Sequence, residues 1–182
     1  MTFQPFPEFT TERLILRELK ESDHDMVLFL RSDAAVNTFI ERPEDRQTKT
    51  TEDAIKFIKD IHGYAKSNTS IAWGITLKEQ PNIVGTICLW NFSEDRKTAE
   101  VGYDLHPNYQ ALGIMSAALK LVLDYGFKTL NLLKIEAFTH KNNKSSIKLL
   151  ERHGFVFMEH RTDEDNVNNA IFEIENPHRN TN

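Results

Sequence analysis

The chain has 182 residues, 40% hydrophobic and 27% charged, which suits one globular domain with a substantial core. Its 22 Lys and Arg against 27 Asp and Glu leave a net charge of −5, with no dense basic block, and this argues against a nucleic-acid binder. A single cysteine excludes an internal disulfide and a cysteine zinc cluster, and the seven histidines show no metal-ligand spacing.

In chain order, Thr11–Leu19 alternates apolar and polar residues and predicts a first strand. Ser22 and Asp23 precede a helix over about residues 24–31, with Asp23 near its cap. Residues 41–50 are polar and read as a loop. Thr51-Glu52-Asp53 opens a second helix, whose Ala54, Phe57, Ile58 and Ile61 recur at helical spacing. Ile71–Leu77 and residues 83–90 read as paired strands around a turn at 78–82. A polar turn at 91–97 then leads into a strand over Ala99–Leu105, closed by His106-Pro107-Asn108.

After Gly113 a helix is expected from Ile114 through Tyr125, followed by a strand at Leu133–Thr139. Strand, helix and strand in this order permit a parallel pair joined by a crossover helix. Residues 143–152 form a further helix, with Asn143 as N-cap and Gly154 as stop. Phe155–Arg161 and Ala170–Ile174 read as a closing hairpin. The expected organisation is one domain over about residues 9–175, with a frayed polar tail at 176–182. No run of about 18 apolar residues predicts a membrane span. The N-terminus lacks the basic start and apolar core of a secretory leader, so a cytoplasmic location is expected.

Two stretches carry chemistry. The first is Tyr-Gln-Ala-Leu-Gly-Ile-Met over residues 109–115, a turn that opens into a helix. The first turn of a helix offers unpaired backbone N–H groups at a positive dipole end, which suits a phosphate. The second is Asn143-Lys144-Ser145-Ser146, which by itself is explained by helix capping, with Ser146 free to make a local backbone bond. Glu100, on the strand before the turn, reads either as a solvated edge carboxylate or as a base. Cys88 reads as a small buried hydrophobe, Trp73 and Trp90 as core or as walls of an acceptor pocket, and Asp163-Glu164-Asp165 as a solvated turn that could also attract a cation.

Taken together, Glu100-Val101-Gly102-Tyr103, Gln110-x-x-Gly113-x-Met115 and the 143–155 segment resemble the GNAT superfamily of N-acetyltransferases. They are most similar to the branch of ribosomal-protein N-terminal alanine and serine acetyltransferases. The resemblance runs from about Phe9 to Glu175. It implies an α/β (α+β) fold, with a mixed, mostly antiparallel twisted sheet, a splayed parallel pair and about four flanking helices. It also implies acetyl-CoA as co-substrate, held by backbone groups of Leu105, Gln110, Ala111, Leu112, Gly113, Ile114 and Met115, with Asn143 on the pantetheine arm.

Glu100 is then the candidate base, and Ser146 the candidate acid for the leaving thiolate. A backbone N–H at or beside Leu105 is the candidate oxyanion donor, and Gly102 the place for a bulge that splays the strands. The family's Gly-Lys or Gly-Arg is replaced by Ala111 and Leu112, and a frequent glutamate by Ala117. The acceptor expected is a primary amine, either a protein N-terminus or a small amine such as a polyamine or antibiotic. The acidic net charge suits such a cation, no metal is required, and a homodimer is compatible with the pattern. A CoA-binding sensor without turnover is the alternative from another class.

Overall fold

A computed structural model describes residues 1–178. Eight strands form one sheet: β1 (Phe9–Thr10), β2 (Leu14–Arg17), β3 (Ile71–Leu77), β4 (Ile83–Trp90), β5 (Thr98–Leu105), β6 (Lys134–His140), β7 (Val156–Phe157) and β8 (Asn169–Glu175). Four helices flank it: α1 (His24–Ser32), α2 (Thr51–Lys66), α3 (Ile114–Asp124) and α4 (Lys144–Arg152). The strand order is β1-β2-β3-β4-β5-β6-β8-β7. Every neighbouring pair is antiparallel except β5 and β6, which run parallel with α3 as their crossover. This is the mixed α/β single domain expected from the sequence.

Local chemistry explains most boundaries. Thr50 accepts from the Asp53 N–H at 3.1 Å while the Asp53 carboxylate accepts from Thr50 at 3.0 Å, a reciprocal cap that starts α2. Asn143 caps α4 by accepting from the Ser146 N–H at 3.1 Å, and Gly154 at φ +87° ends it in the left-handed region. Asp23 stands at the N-cap of α1, but its carboxylate is drawn to the Lys20 N–H at 2.7 Å and the Arg17 guanidinium at 2.8 Å.

One face of the sheet packs Ile87, Leu89, Ala99 and Val101 against Ile114, Met115, Ala118 and Leu119 of α3 and Leu150 of α4. The other face carries a smaller cluster of Val27, Ala54, Ile58 and Ile83 under α1 and α2.

Several expectations are corrected. The first strand is only Leu14–Arg17, because a tight turn in which Thr11 N–H bonds to the Leu14 carbonyl sets off the short β1. The closing hairpin pairs over two residues of β7 rather than over Phe155–Arg161. No register shift occurs at Gly102: β4 and β5 pair without interruption from Gly85–Leu105 to Trp90–Glu100. A Cβ at Gly102 would stand 3.2 Å from the Cys88 sulfur, so this glycine makes room for a neighbour instead of bending the strand.

The tail does not fray directly after Glu175, since the Asn176 side chain donates to the Leu132 carbonyl at 2.8 Å. The rest of that expected tail, from residue 179, lies outside the described residues. Among the described residues no helix is long and apolar enough to cross a membrane.

Candidate active site

β5 and β6 pair at Thr98–Lys134, Ala99–Ile135 and Glu100–Glu136, and then part. His106 donates its N–H to the Val84 carbonyl, so even-numbered residues of β5 bond towards β4. Antiparallel alternation therefore turns the N–H and C=O groups of Tyr103 and Leu105 the other way, into the gap that β6 has left. The gap is an open strand edge inside a sheet, able to accept an extended amide chain and to donate to a developing oxyanion.

At the far end of β5 a tight turn over Pro107–Tyr109 leads to Gln110, whose side chain reaches the Leu105 carbonyl at 3.4 Å. Ala111 and Gly113 both lie at positive φ, +59° and +76°. Within the described residues no backbone N–H from Ala111 to Ser116 has an acceptor; the first helical bond of α3 is Ala117 N–H to the Gly113 carbonyl. These free N–H groups at a helix start make an anion cradle. The Arg13 guanidinium donates to the Leu112 carbonyl at 3.0 Å, so a cation missing from the loop itself arrives from a residue 99 positions earlier.

Ala111 occupies a conformation that costs a non-glycine residue about 1–2 kcal/mol. Ala111→Gly removes that strain while adding about 0.4–1 kcal/mol of unfolded-chain entropy. The variant is expected to melt roughly 1–3 °C higher, as read by calorimetry.

On the α3–α4 face, the Tyr103 hydroxyl and the Ser146 Oγ lie 2.8 Å apart. Ser146 thus does not turn back on its own helix, as a purely local reading allows. Burial pushes the Tyr103 phenol up to about 12, against a smaller opposing effect of the Ser146 hydrogen bond, so this pair stays protonated through the neutral range. Asn143, one turn earlier, has its oxygen committed to the helix cap.

Glu100 faces the opposite side of the sheet. Burial first, and then the charges of Glu136 and Asp163, push its carboxyl up to about 7, while a contact from Asn91 Nδ2 at 3.5 Å opposes them. A carboxylate near 7 is suited to accept a proton at neutral pH. Glu136 of β6 is itself paired with Lys134 at 2.9 Å and Arg161 at 2.8 Å, so the free acid beside Glu100 comes from the Asp163 turn. Trp90 pairs with Glu100 and is 37% exposed, so it flanks the carboxylate rather than filling the core. Trp73 is fully buried, donating its indole N–H to the Pro7 carbonyl at 2.6 Å.

Cys88 is half-buried, and burial raises its thiol to about 12, which leaves no thiolate for attack. Among the described residues no group of three His, Cys, Asp or Glu side chains converges to hold a metal.

The fold therefore gathers Glu100, the free edge at Tyr103 and Leu105, Ser146 and the 110–115 loop along one strand and the gap beside it. Tyr103 and Arg13 escape a reading of motifs. The alternation of β5 was a usable signal for Tyr103, because it places that residue opposite Glu100. Arg13 gave no signal, because its partner lies far along the chain.

The chain matches the acetyltransferase (GNAT) domain model over residues 13–156. It is 33% identical over 145 residues to the uncharacterised N-acetyltransferase p20 of Bacillus licheniformis, covering 80% of each protein. It is also 34% identical to the Escherichia coli K12 spermidine N(1)-acetyltransferase over 71 residues, 39% of this chain and 38% of that one. The ribosomal-protein-S5-alanine acetyltransferase of Vibrio fischeri superposes with a TM-score of 0.81 at 24% identity, over 94% of this chain and 98% of that one, a likeness of fold. A parallel pair that parts beside an anion-cradling loop, together with the matching domain model and a relative 33% identical over 80% of the chain, settles the family: the protein belongs to the GNAT acetyltransferases and is an acyltransferase.

Proposed function

We propose that the protein transfers the acetyl group of acetyl-CoA directly to a primary amine, with a protein N-terminal α-amine as acceptor. The observation that carries this reading is the gap beyond Glu100, with a carboxyl near 7 on one face and a hydroxyl pair on the other. The pyrophosphate lies on the free N–H groups of residues 111–116, with Arg13 beside them and Gln110 fixing the turn. The pantetheine runs along the open edge of β5, past Asn143.

The acceptor nitrogen attacks the thioester carbon and gives up a proton to Glu100 through water. The carbonyl oxygen takes negative charge onto the backbone N–H of Leu105; one such donor contributes on the order of 3 kcal/mol. When the carbon–sulfur bond breaks, the sulfur keeps the electron pair and takes the proton of Ser146. Ser146 regains one from water through the Tyr103 hydroxyl that holds it, and Glu100 releases the amine's proton to water, so the cycle closes on amide and free thiol. An α-amine titrates at about 7.7–8.0 against about 10.4 for lysine, so a carboxylate near 7 serves it far better.

A polyamine acceptor is the second reading, favoured by the carboxyl groups of Glu100 and Asp163 and by the E. coli relative. The deciding assay mixes protein and acetyl-CoA with an unblocked peptide, the same peptide N-terminally blocked but carrying lysine, or spermidine, and follows thiol release. Turnover of the unblocked peptide alone supports the first reading. Turnover of spermidine alone replaces it, and acetyl-CoA binding without turnover of any amine leaves a sensor.

The acid assignment has its own check. Ser146→Ala is expected to lower kcat about tenfold to a hundredfold, and Tyr103→Phe less, with KM for acetyl-CoA held within about threefold. An unchanged kcat in Ser146→Ala returns Ser146 to a purely structural part.

A further inference from the structure

The face of β5 that carries Glu100 has a second, cationic end. Glu100, Gly102 and Asp104 alternate onto this face, which places Asp104 roughly 13 Å along the strand from Glu100. Above Asp104 the loop after α1 forms a cleft of about 240 Å³, lined by Arg31, Asn37, Arg42, Thr48 and Lys49 and by no acidic side chain.

Arg31 stacks on Phe57 and is tied by its Nε to the Thr48 hydroxyl at 2.7 Å and by an Nη to the Arg46 carbonyl at 2.8 Å. Arg42 is less well served. Its side chain is 18% exposed, its only carboxylate is Asp104 at 3.7 Å, and its Nε is buried with no hydrogen-bond partner among the described residues. Asp104 already accepts from the Thr86 hydroxyl at 2.7 Å and from the Thr86 N–H at 3.2 Å. Arg42 thus leans on a carboxylate that is itself engaged, with Arg31 adding a second positive charge nearby. Burial and the neighbouring charge of Arg42 bring Arg31 down to about 10, and burial lowers Arg42 also. With its one carboxylate 3.7 Å away, the Arg42 guanidinium keeps terminal donors to spare at the cleft wall, and an oxyanion in the cleft would take them.

We propose that this cleft binds a carboxylate borne by the acceptor itself, held by the Arg42 guanidinium and the adjoining Arg31 and Lys49, so that the substrate is a peptide with an acidic residue shortly after its amine. This inference rests on the amine-acetylation reading and narrows its acceptor. An extended chain advances about 3.3–3.6 Å per residue, so the carboxylate falls on about the third or fourth residue. A polyamine, cationic along its length, meets like charge at this end. The face is thereby bipolar, acid at Glu100 for the reacting amine and base at Arg42 for the acid that follows.

The test uses the full chain and product-like ligands, so it does not depend on turnover. Side-chain Nε–Hε resonances of 15N-arginine protein are followed on adding N-acetyl-Ala-Gly-Asp-Gly amide, its Asn counterpart, or inorganic phosphate. The expected result is a shifted Arg42 signal and at least tenfold tighter binding of the Asp peptide than of the Asn peptide. That preference is lost in Arg42→Gln, while acetyl-CoA affinity is kept. Equal binding of the two peptides overturns the proposal, as does a shift with phosphate alone, which marks a site for a free anion. Turnover of the unblocked peptides is scored separately: Asp preference in binding without acetylation leaves the cleft standing and removes the acceptor reading on which it was built.

Discussion

Replacing Glu100 with glutamine is expected to lower kcat/KM for the acceptor by about 10²–10⁴-fold and to remove the limb of its pH profile near 7. Glutamine keeps the shape of the side chain but cannot take the proton, and acetyl-CoA binding on the other side of the gap is unaffected. Stability moves the opposite way. Burial and the charges of Glu136 and Asp163 raise the folded-state carboxyl from 4.5 to about 7, so between these values the folded protein holds a proton that the unfolded chain has lost. Stability therefore falls as pH rises from about 4.5 to about 7, and the full cost persists above. Glu100→Gln abolishes that cost, on the order of 2 kcal/mol, so it melts roughly 4–8 °C above wild type at pH 8 and gains nothing at pH 4. A variant slower yet more stable at pH 8 separates lost chemistry from lost fold. A variant with wild-type kcat/KM assigns the proton to another acceptor.

Gly113→Glu is expected to weaken acetyl-CoA binding by at least about a hundredfold, measured by titration calorimetry, with little change in the far-UV spectrum. Two effects combine. The residue sits at φ +76°, where a side chain adds about 1–2 kcal/mol of strain. The larger effect is electrostatic, because a carboxylate enters the cradle of free N–H groups proposed for the pyrophosphate. Gly113→Ala separates the two. A Cβ there meets nothing nearer than Arg13 Nη1 at 3.9 Å, so the alanine variant carries the strain without the charge and loses only about tenfold in affinity. Equal losses in both variants would mean that backbone geometry alone governs the site. Unchanged affinity in Gly113→Glu would move the cofactor elsewhere.

Elements whose chemistry is local were legible in the chain. β3 at Ile71–Leu77 and the β4 run at 83–90 follow from alternation, α2 from Thr51-Glu52-Asp53 and the apolar spacing of Ala54, Phe57, Ile58 and Ile61, and α4 from Asn143 and Gly154. The parallel pair and its crossover followed from the order of elements, and the loop at 110–115 from its turn and glycine. These depend on contacts within a few residues, which a linear pattern encodes directly.

Other features escaped because they form between distant segments. Gly102 carries no bulge because its missing side chain is used by Cys88 across the strand, a fact about packing rather than propensity. Trp90 is exposed because the sheet ends beside it, although its composition resembles core.

The amino-acid sequence by itself determined the family and most of the elements, and it pointed to the strand on which the proposed chemistry lies. Only the tertiary structure decided that Glu100 titrates near 7, since its neighbours Glu136 and Asp163 come from other segments and its burial comes from the folded sheet. The same holds for Tyr103 holding Ser146, for Arg13 reaching the loop, and for Arg31 and Arg42 crowding one Asp104. Burial, charge proximity and unsatisfied donors are properties of assembled surfaces, and no window along the chain contains them.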